Sequence, residues 1–374
     1  DTLFNTATGT NSINFNTTGN KNTANGYQAL YNNISGNANT ALGYYSLRAN
    51  TDGYFNTGIG RGALQSNEGG IKNVAVGTYA LQLNISGKAN TAIGNEALNN
   101  NTTGVKNVAS GSEALYMNTT ASYNTATGYR ALFNNTLGGI SEGQAEGNTA
   151  NGYEALYSNT KGKGNTASGM SALYKNTEGN NNTASGYQAL YSNNEGNSNT
   201  ASGVNALSTN TTGSFNTASG TSALSNNISG DANTASGFLA LSLNEVGGFN
   251  TASGYQALYK NKGDSNTASG ANALYENTTG NDNSAFGQGA LYKNTEGNNN
   301  TASGVQALYT NTTGTQNTAS GFNSLVNNST GNSNTASGVS ALNKNTTGDY
   351  NVAVGEYALN ANTTGSNNTG IGKG

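Results

Sequence analysis

The chain has 374 residues, with no His, Cys, Pro or Trp, 15 Lys and Arg against 18 Asp and Glu, and a net charge of −3. That composition removes thiol chemistry, disulfide frameworks and imidazole-based acid–base or metal chemistry, so no cofactor and no metal site are expected. It also offers no basic patch for nucleic acid and no apolar run long enough for membrane insertion within this segment.

Self-similarity organises everything else. The motif Asn-(Thr/Val/Ser)-(Ala/Gly)-x-Gly begins at Asn5 and recurs every 17 residues through Asn124. A seven-residue insertion near residues 137–147, which contains Glu142 and Glu146, delays the next start to Asn148. The period then holds to Asn250, loses one residue near Lys262 and Gly263, and resumes from Asn266 to Asn368, making 22 starts. The chain therefore reads as one continuous solenoid over residues 1–374, with the insertion expected to bulge from a turn and its deletion expected to be silent for folding.

Numbered from that Asn, the coil consensus is N-T-A-S-G-Y-Q-A-L-Y-S-N-T-T-G-N-S. The period is too short for a helical hairpin and lacks the leucine-rich pattern, so the fold expected is all-β: a parallel β-solenoid, or β-roll, of about 22 coils. Two short strands per coil are expected, at positions two to four and eight to ten, with Gly at position fifteen supplying positive φ in the turn. At about 4.8 Å per coil the stack would form a rod on the order of 100 Å long. The position-nine Leu is the expected interior line, and Asn at positions one and twelve the expected amide ladders.

Certain coils carry a sharper signal. Asn56-Thr57-Gly58-Ile59-Gly60, Asn73-Val74-Ala75-Val76-Gly77, Asn90-Thr91-Ala92-Ile93-Gly94 and Asn351-Val352-Ala353-Val354-Gly355 resemble the Asn-Ser-Val-Ala-Ile-Gly head repeats of trimeric autotransporter adhesins. The wider array is similar to those of phage tail-fibre proteins. The resemblance implies a left-handed β-roll that trimerises and serves as an adhesive head or stalk. Two departures are the 17-residue coil, longer than those heads use, and Ser at position four of the central coils, as at Ser168 and Ser253.

The functional expectations follow. An enzyme is not expected, because the carboxylates are scattered; Glu178 and Glu195, in adjacent coils, read as solvated turn charges. The chain reads as a structural or adhesive fibre segment, extracellular, on a cell or virion surface. Its partner is expected to be itself, as a homotrimer or a head-to-tail filament, with surface carbohydrate or host matrix as a further partner. Position-ten tyrosines Tyr157, Tyr174 and Tyr191, and again Tyr259, Tyr275, Tyr292 and Tyr309, should form aromatic ladders that either brace the sheet or offer a stacking platform. Asn-x-Ser/Thr sequons at Asn16, Asn33, Asn84, Asn101, Asn210, Asn277, Asn311, Asn345 and Asn362, on what should be an exposed turn, are candidate glycosylation sites. The alternative function is ice binding through a Thr-x-Ser ladder at positions two and four, running from Thr166 to Thr251. Neither end carries a polar cap, so the expectation is a piece of a longer fibre.

Overall fold

The computed structural model describes residues 4–136 and 146–374. The chain divides into two compact units, Asp1–Glu195 and Gly196–Gly374. The first carries eleven three-residue strands, from β1 (Thr6–Thr8) to β11 (Thr183–Ser185), and the second eleven more, from β12 (Thr200–Ser202) to β22 (Thr369–Ile371). Each unit is an all-β parallel solenoid, with equivalent residues in register from coil to coil, as in Thr57↔Val74 of the first and Thr217↔Thr234 of the second.

The strand's middle residue faces inward and its two neighbours outward, which is the period-2 alternation of a half-buried strand. Position-three Ala, position-eight Ala and position-nine Leu are fully buried, Leu190 among them. Each buried Leu contributes about 1.5 to 3 kcal/mol, too little to order its coil alone. The remainder of the interior is amide. Asn300 shows the pattern at position one: its backbone N–H donates to Asn283 Oδ1 at 3.0 Å and its Nδ2 donates to the Gly314 carbonyl at 2.8 Å. At position twelve, Asn311 Nδ2 donates to Asn294 Oδ1 at 2.7 Å and to the same Gly314 carbonyl at 2.9 Å. Two amide columns thus converge on one carbonyl per coil, satisfying polar groups that burial would otherwise make costly.

Among the described residues the expected second strand is absent. Positions seven and nine hold left-handed φ, 52° at Gln188 and 51° at Leu190 for example, so the segment is a run of turns. Hydrogen bonds between coils continue through it, with Leu30 N–H donating to the Ser46 carbonyl and Gln28 N–H to the Thr10 carbonyl, both at 3.0 Å. Alternating handedness gives those groups partners in neighbouring coils without a β-strand.

Position fifteen also differs from expectation. Its Gly does not adopt positive φ; it is needed because a Cβ on Gly314 would lie 2.5 Å from the Gly331 carbonyl oxygen of the next coil. Positive φ falls instead on the position-five Gly, such as Gly203 at 138°.

Both length irregularities leave the ladder in register. Strand β8 (Thr125–Thr127) pairs with β9 (Thr149–Asn151), and Asn148 N–H donates to Asn124 Oδ1 at 3.0 Å across 24 residues. The insertion itself lies mostly outside the described residues. At the one-residue deletion, Asn261 Nδ2 reaches Gly263 O at 2.7 Å, so the shortened turn keeps its acceptor.

Candidate functional surfaces

With the amides and leucines inside, any function is carried by the rows of outward positions. The strand row comes first. In the second unit Thr200, Thr217, Thr234 and Thr251 pair in register with Thr267 at its end, each flanked by a position-four Ser. Both side chains of these Thr-Ala-Ser strands point outward; Thr166 and Thr183 continue the same pattern in the first unit. The row is interrupted by exposed apolar residues, Leu42, Ile59 and Ile93 in the first unit and Phe286 in the second.

The position-ten tyrosines form one stack in each unit. Tyr157 and Tyr174 lie 5.1 Å apart and Tyr174 and Tyr191 5.2 Å, with planes 6° apart in both pairs. Tyr259, Tyr275, Tyr292 and Tyr309 repeat the arrangement at 5.2, 5.1 and 5.0 Å. Phe133 and Tyr116 extend the first column, which sequence reading missed because it searched for tyrosine rather than for any ring at position ten. Within a column each ring face is covered by its neighbour, so a sugar would meet mainly edges and hydroxyls there. The geometry is that of a brace. Burial raises the phenol pKa of Tyr174 and Tyr292 above the ordinary value, with neighbouring charges adding to it.

The sequons do not sit on an exposed turn. Asn33, Asn84, Asn101, Asn210, Asn277, Asn311 and Asn345 are buried, while Asn16 and Asn362 near the ends are half-buried. In each column the Nδ2 that a glycan would occupy donates to amide or carbonyl oxygens, as Asn101 does to Asn84 Oδ1 at 2.8 Å and Gly104 O at 3.1 Å. Position twelve is an interior position, and the Ser/Thr that completes the sequon serves the turn.

Charges pair between successive coils. Lys161 meets Glu178 at 2.6 Å, and Arg130 meets Glu113 at 2.7 Å, a hydrogen bond that raises the guanidinium pKa further. Such exposed pairs contribute little to stability. Among the described residues no group of three or more His, Cys, Asp or Glu is placed to hold a metal, and no helix is long and apolar enough to cross a membrane.

Among the recesses of the described surface, two occur where position seven is Gly. The Gly289 recess, about 140 Å³, is lined by amides and by Tyr292 and Tyr309. The larger of these two, at Gly62 and about 260 Å³, lies in the first unit and is lined by Tyr44, Tyr45, Arg61, Tyr79, Gln65 and Gln82. Here the position-ten ring is replaced by amides. Tyr44 and Tyr45 share a side-chain hydrogen bond that, with burial, raises the Tyr44 pKa.

Comparison with known proteins assigns none of these surfaces: no family model matches the chain, and no curated protein matches it either.

Proposed function

We propose that this chain is a structural segment of an extracellular fibre, of the kind that adhesins and tail fibres use to hold repetitive surface away from a cell or virion. The observation that supports it is the identical-residue columns: Leu at nine and Asn at one and twelve devote the interior to coil-on-coil continuity. No reaction is proposed. The partner proposed is the chain itself. Exposed Leu42, Ile59 and Ile93, where other coils carry Ser, give the first unit an apolar strip suited to a homotrimer seam, with a head-to-tail filament as the other form of self-association. Mass photometry and negative-stain electron microscopy of the purified chain test this. Trimers or longer filaments are expected, and the triple change Leu42→Ser, Ile59→Ser, Ile93→Ser should return trimers to monomers. A monomer at micromolar concentration that never associates overturns the reading.

The exposed, in-register Thr-x-Ser row of the second unit favours a second function, ice binding. Thermal hysteresis at micromolar protein, lost on Thr234→Val with Thr251→Val, would carry it; its absence would remove it.

A further inference from the structure

The Gly62 recess brings a guanidinium, aromatic rings and side-chain amides together at one place. Position seven is filled by a side chain in almost every coil, and a Cβ on Gly62 would meet Tyr79 Cδ1 at 2.6 Å. The glycine therefore makes room for the neighbouring tyrosine to lean over the gap. Arg61 lies against two of the rings, its guanidinium carbon 5.8 Å from the Tyr44 centroid and 5.5 Å from that of Tyr79. It makes no ion pair among the described residues, unlike Arg130. Its charge is exposed and uncompensated beside aromatic surface.

The amides point the same way. Asn99 Nδ2 donates to Gln82 Oε1 at 3.2 Å, and Gln82 Nε2 donates to Gln65 Oε1 at 3.2 Å. That relay leaves Gln65 Nε2 as its open donor end, in the lining of the recess. A guanidinium and a free amide donor call for an acceptor-rich, anionic group. Tyrosine rings beside them call for a ligand with an apolar C–H face.

We propose that the Gly62 recess binds a carboxylated sugar unit of a surface polysaccharide: carboxylate on Arg61, a ring hydroxyl accepting from Gln65 Nε2, and the C–H face against Tyr44 or Tyr79. This rests on the fibre reading only for its biological setting. Self-association would turn one weak site per chain into several acting together.

Calorimetric titration of the full chain tests it, with tetragalacturonate and sialyllactose as probes, and the fully methyl-esterified tetragalacturonate, lactose and inorganic phosphate as controls. At least one acidic probe should bind, with at least tenfold weaker binding for the neutral counterparts. Arg61→Gln should reproduce that tenfold loss on the acidic probe. Gly62→Gln, whose Cβ would displace the Tyr79 ring, should abolish binding, with hydrogen exchange across residues 56–90 showing that the coils still stack. Failure of both acidic probes to bind, binding that survives Gly62→Gln, or equal binding of phosphate alone would overturn the proposal. Because oligomeric state is read separately, a fibre that binds no acidic sugar would sink this inference and leave the fibre reading standing.

Discussion

Replacing Asn294 by Ala tests whether the amide columns or the leucines hold successive coils together. Asn294 Nδ2 donates to Asn277 Oδ1 at 2.7 Å and to Gly297 O at 2.9 Å, and its Oδ1 accepts from Asn311 Nδ2 at 2.7 Å. Ala removes all three. Gly297 O keeps a second donor, Asn283 Nδ2 at 2.8 Å, and Asn311 Nδ2 keeps Gly314 O, but Asn277 Oδ1 is left buried with no donor in that direction. Three net bonds at about 0.5 to 1.5 kcal/mol each, with one orphaned acceptor at about 1 to 3, give a local cost of about 2.5 to 7.5 kcal/mol. Because a repeat array opens locally, the readout is hydrogen exchange across residues 277–311 rather than a global midpoint. Asn294→Asp should be worse at neutral pH, since its anion would face two acceptors. Burial and those acceptors raise its folded pKa, so stability is fullest below about pH 4, the unfolded value, and falls as pH rises. A loss below about 1 kcal/mol for Ala, or no pH dependence for Asp, would refute the reasoning.

Further predictions concern the interior line, the backbone and the ladders. Leu190→Ala should cost about 2 to 5 kcal/mol by leaving a cavity, read by exchange in its own and adjacent coils. Gln188→Gly should stabilise by up to about 1 kcal/mol, because Gln188 holds φ 52° and glycine does so without strain, as seen from a raised urea midpoint. Tyr174 and Tyr292, raised by burial, ionise in the unfolded chain before the folded one. Stability is therefore full below about pH 10 and declines above it, and a double Phe variant should soften that decline in pH-jump denaturation.

Periodicity exposed the parallel solenoid, the Leu line and the amide columns because each repeats in sequence at the spacing at which it stacks in space. What it concealed was conformation. Ala-Leu-Tyr alternates as a strand would, yet Leu190 sits at φ 51°, because hydrogen bonds to both neighbouring coils outweigh the local cost of a left-handed leucine. The same concealment misplaced Asn311: an Asn before Thr-Thr-Gly reads as an exposed turn, whereas stacking draws its amide inside. The recess was invisible because it arises from two glycines at a position that otherwise varies freely, Gly62 and Gly289. Only the row of neighbours makes the missing side chain a feature.

One residue departs from the position-fifteen rule, and it predicts how the insertion is tolerated. Elsewhere that position is Gly because a Cβ would strike the next coil's carbonyl, as at Gly314. Ala121 occupies it nonetheless, buried, while its own carbonyl still accepts from Asn107 Nδ2 at 2.9 Å and Asn118 Nδ2 at 3.0 Å. The coil that follows begins at Asn124 and is the one that carries the seven extra residues. Asn124 Nδ2, whose equivalents donate to a position-fifteen carbonyl, is buried without a partner among the described residues. In a regular coil the position-fifteen carbonyl of the next turn would lie against a Cβ at position fifteen, as it would at Gly314, so the Ala121 methyl does not fit a regular successor. Deleting residues 141–147 restores a 17-residue coil with Gly138 at position fifteen and should bring its carbonyl against that methyl. The deletion alone, read from the sequence as silent, should then weaken exchange protection between residues 107 and 160, whereas combined with Ala121→Gly it should be neutral or stabilising. The coupling in this cycle should reach about 1 to 3 kcal/mol, the range for residues in direct contact. Equal effects of the deletion in both backgrounds would show that Ala121 and the insertion are independent.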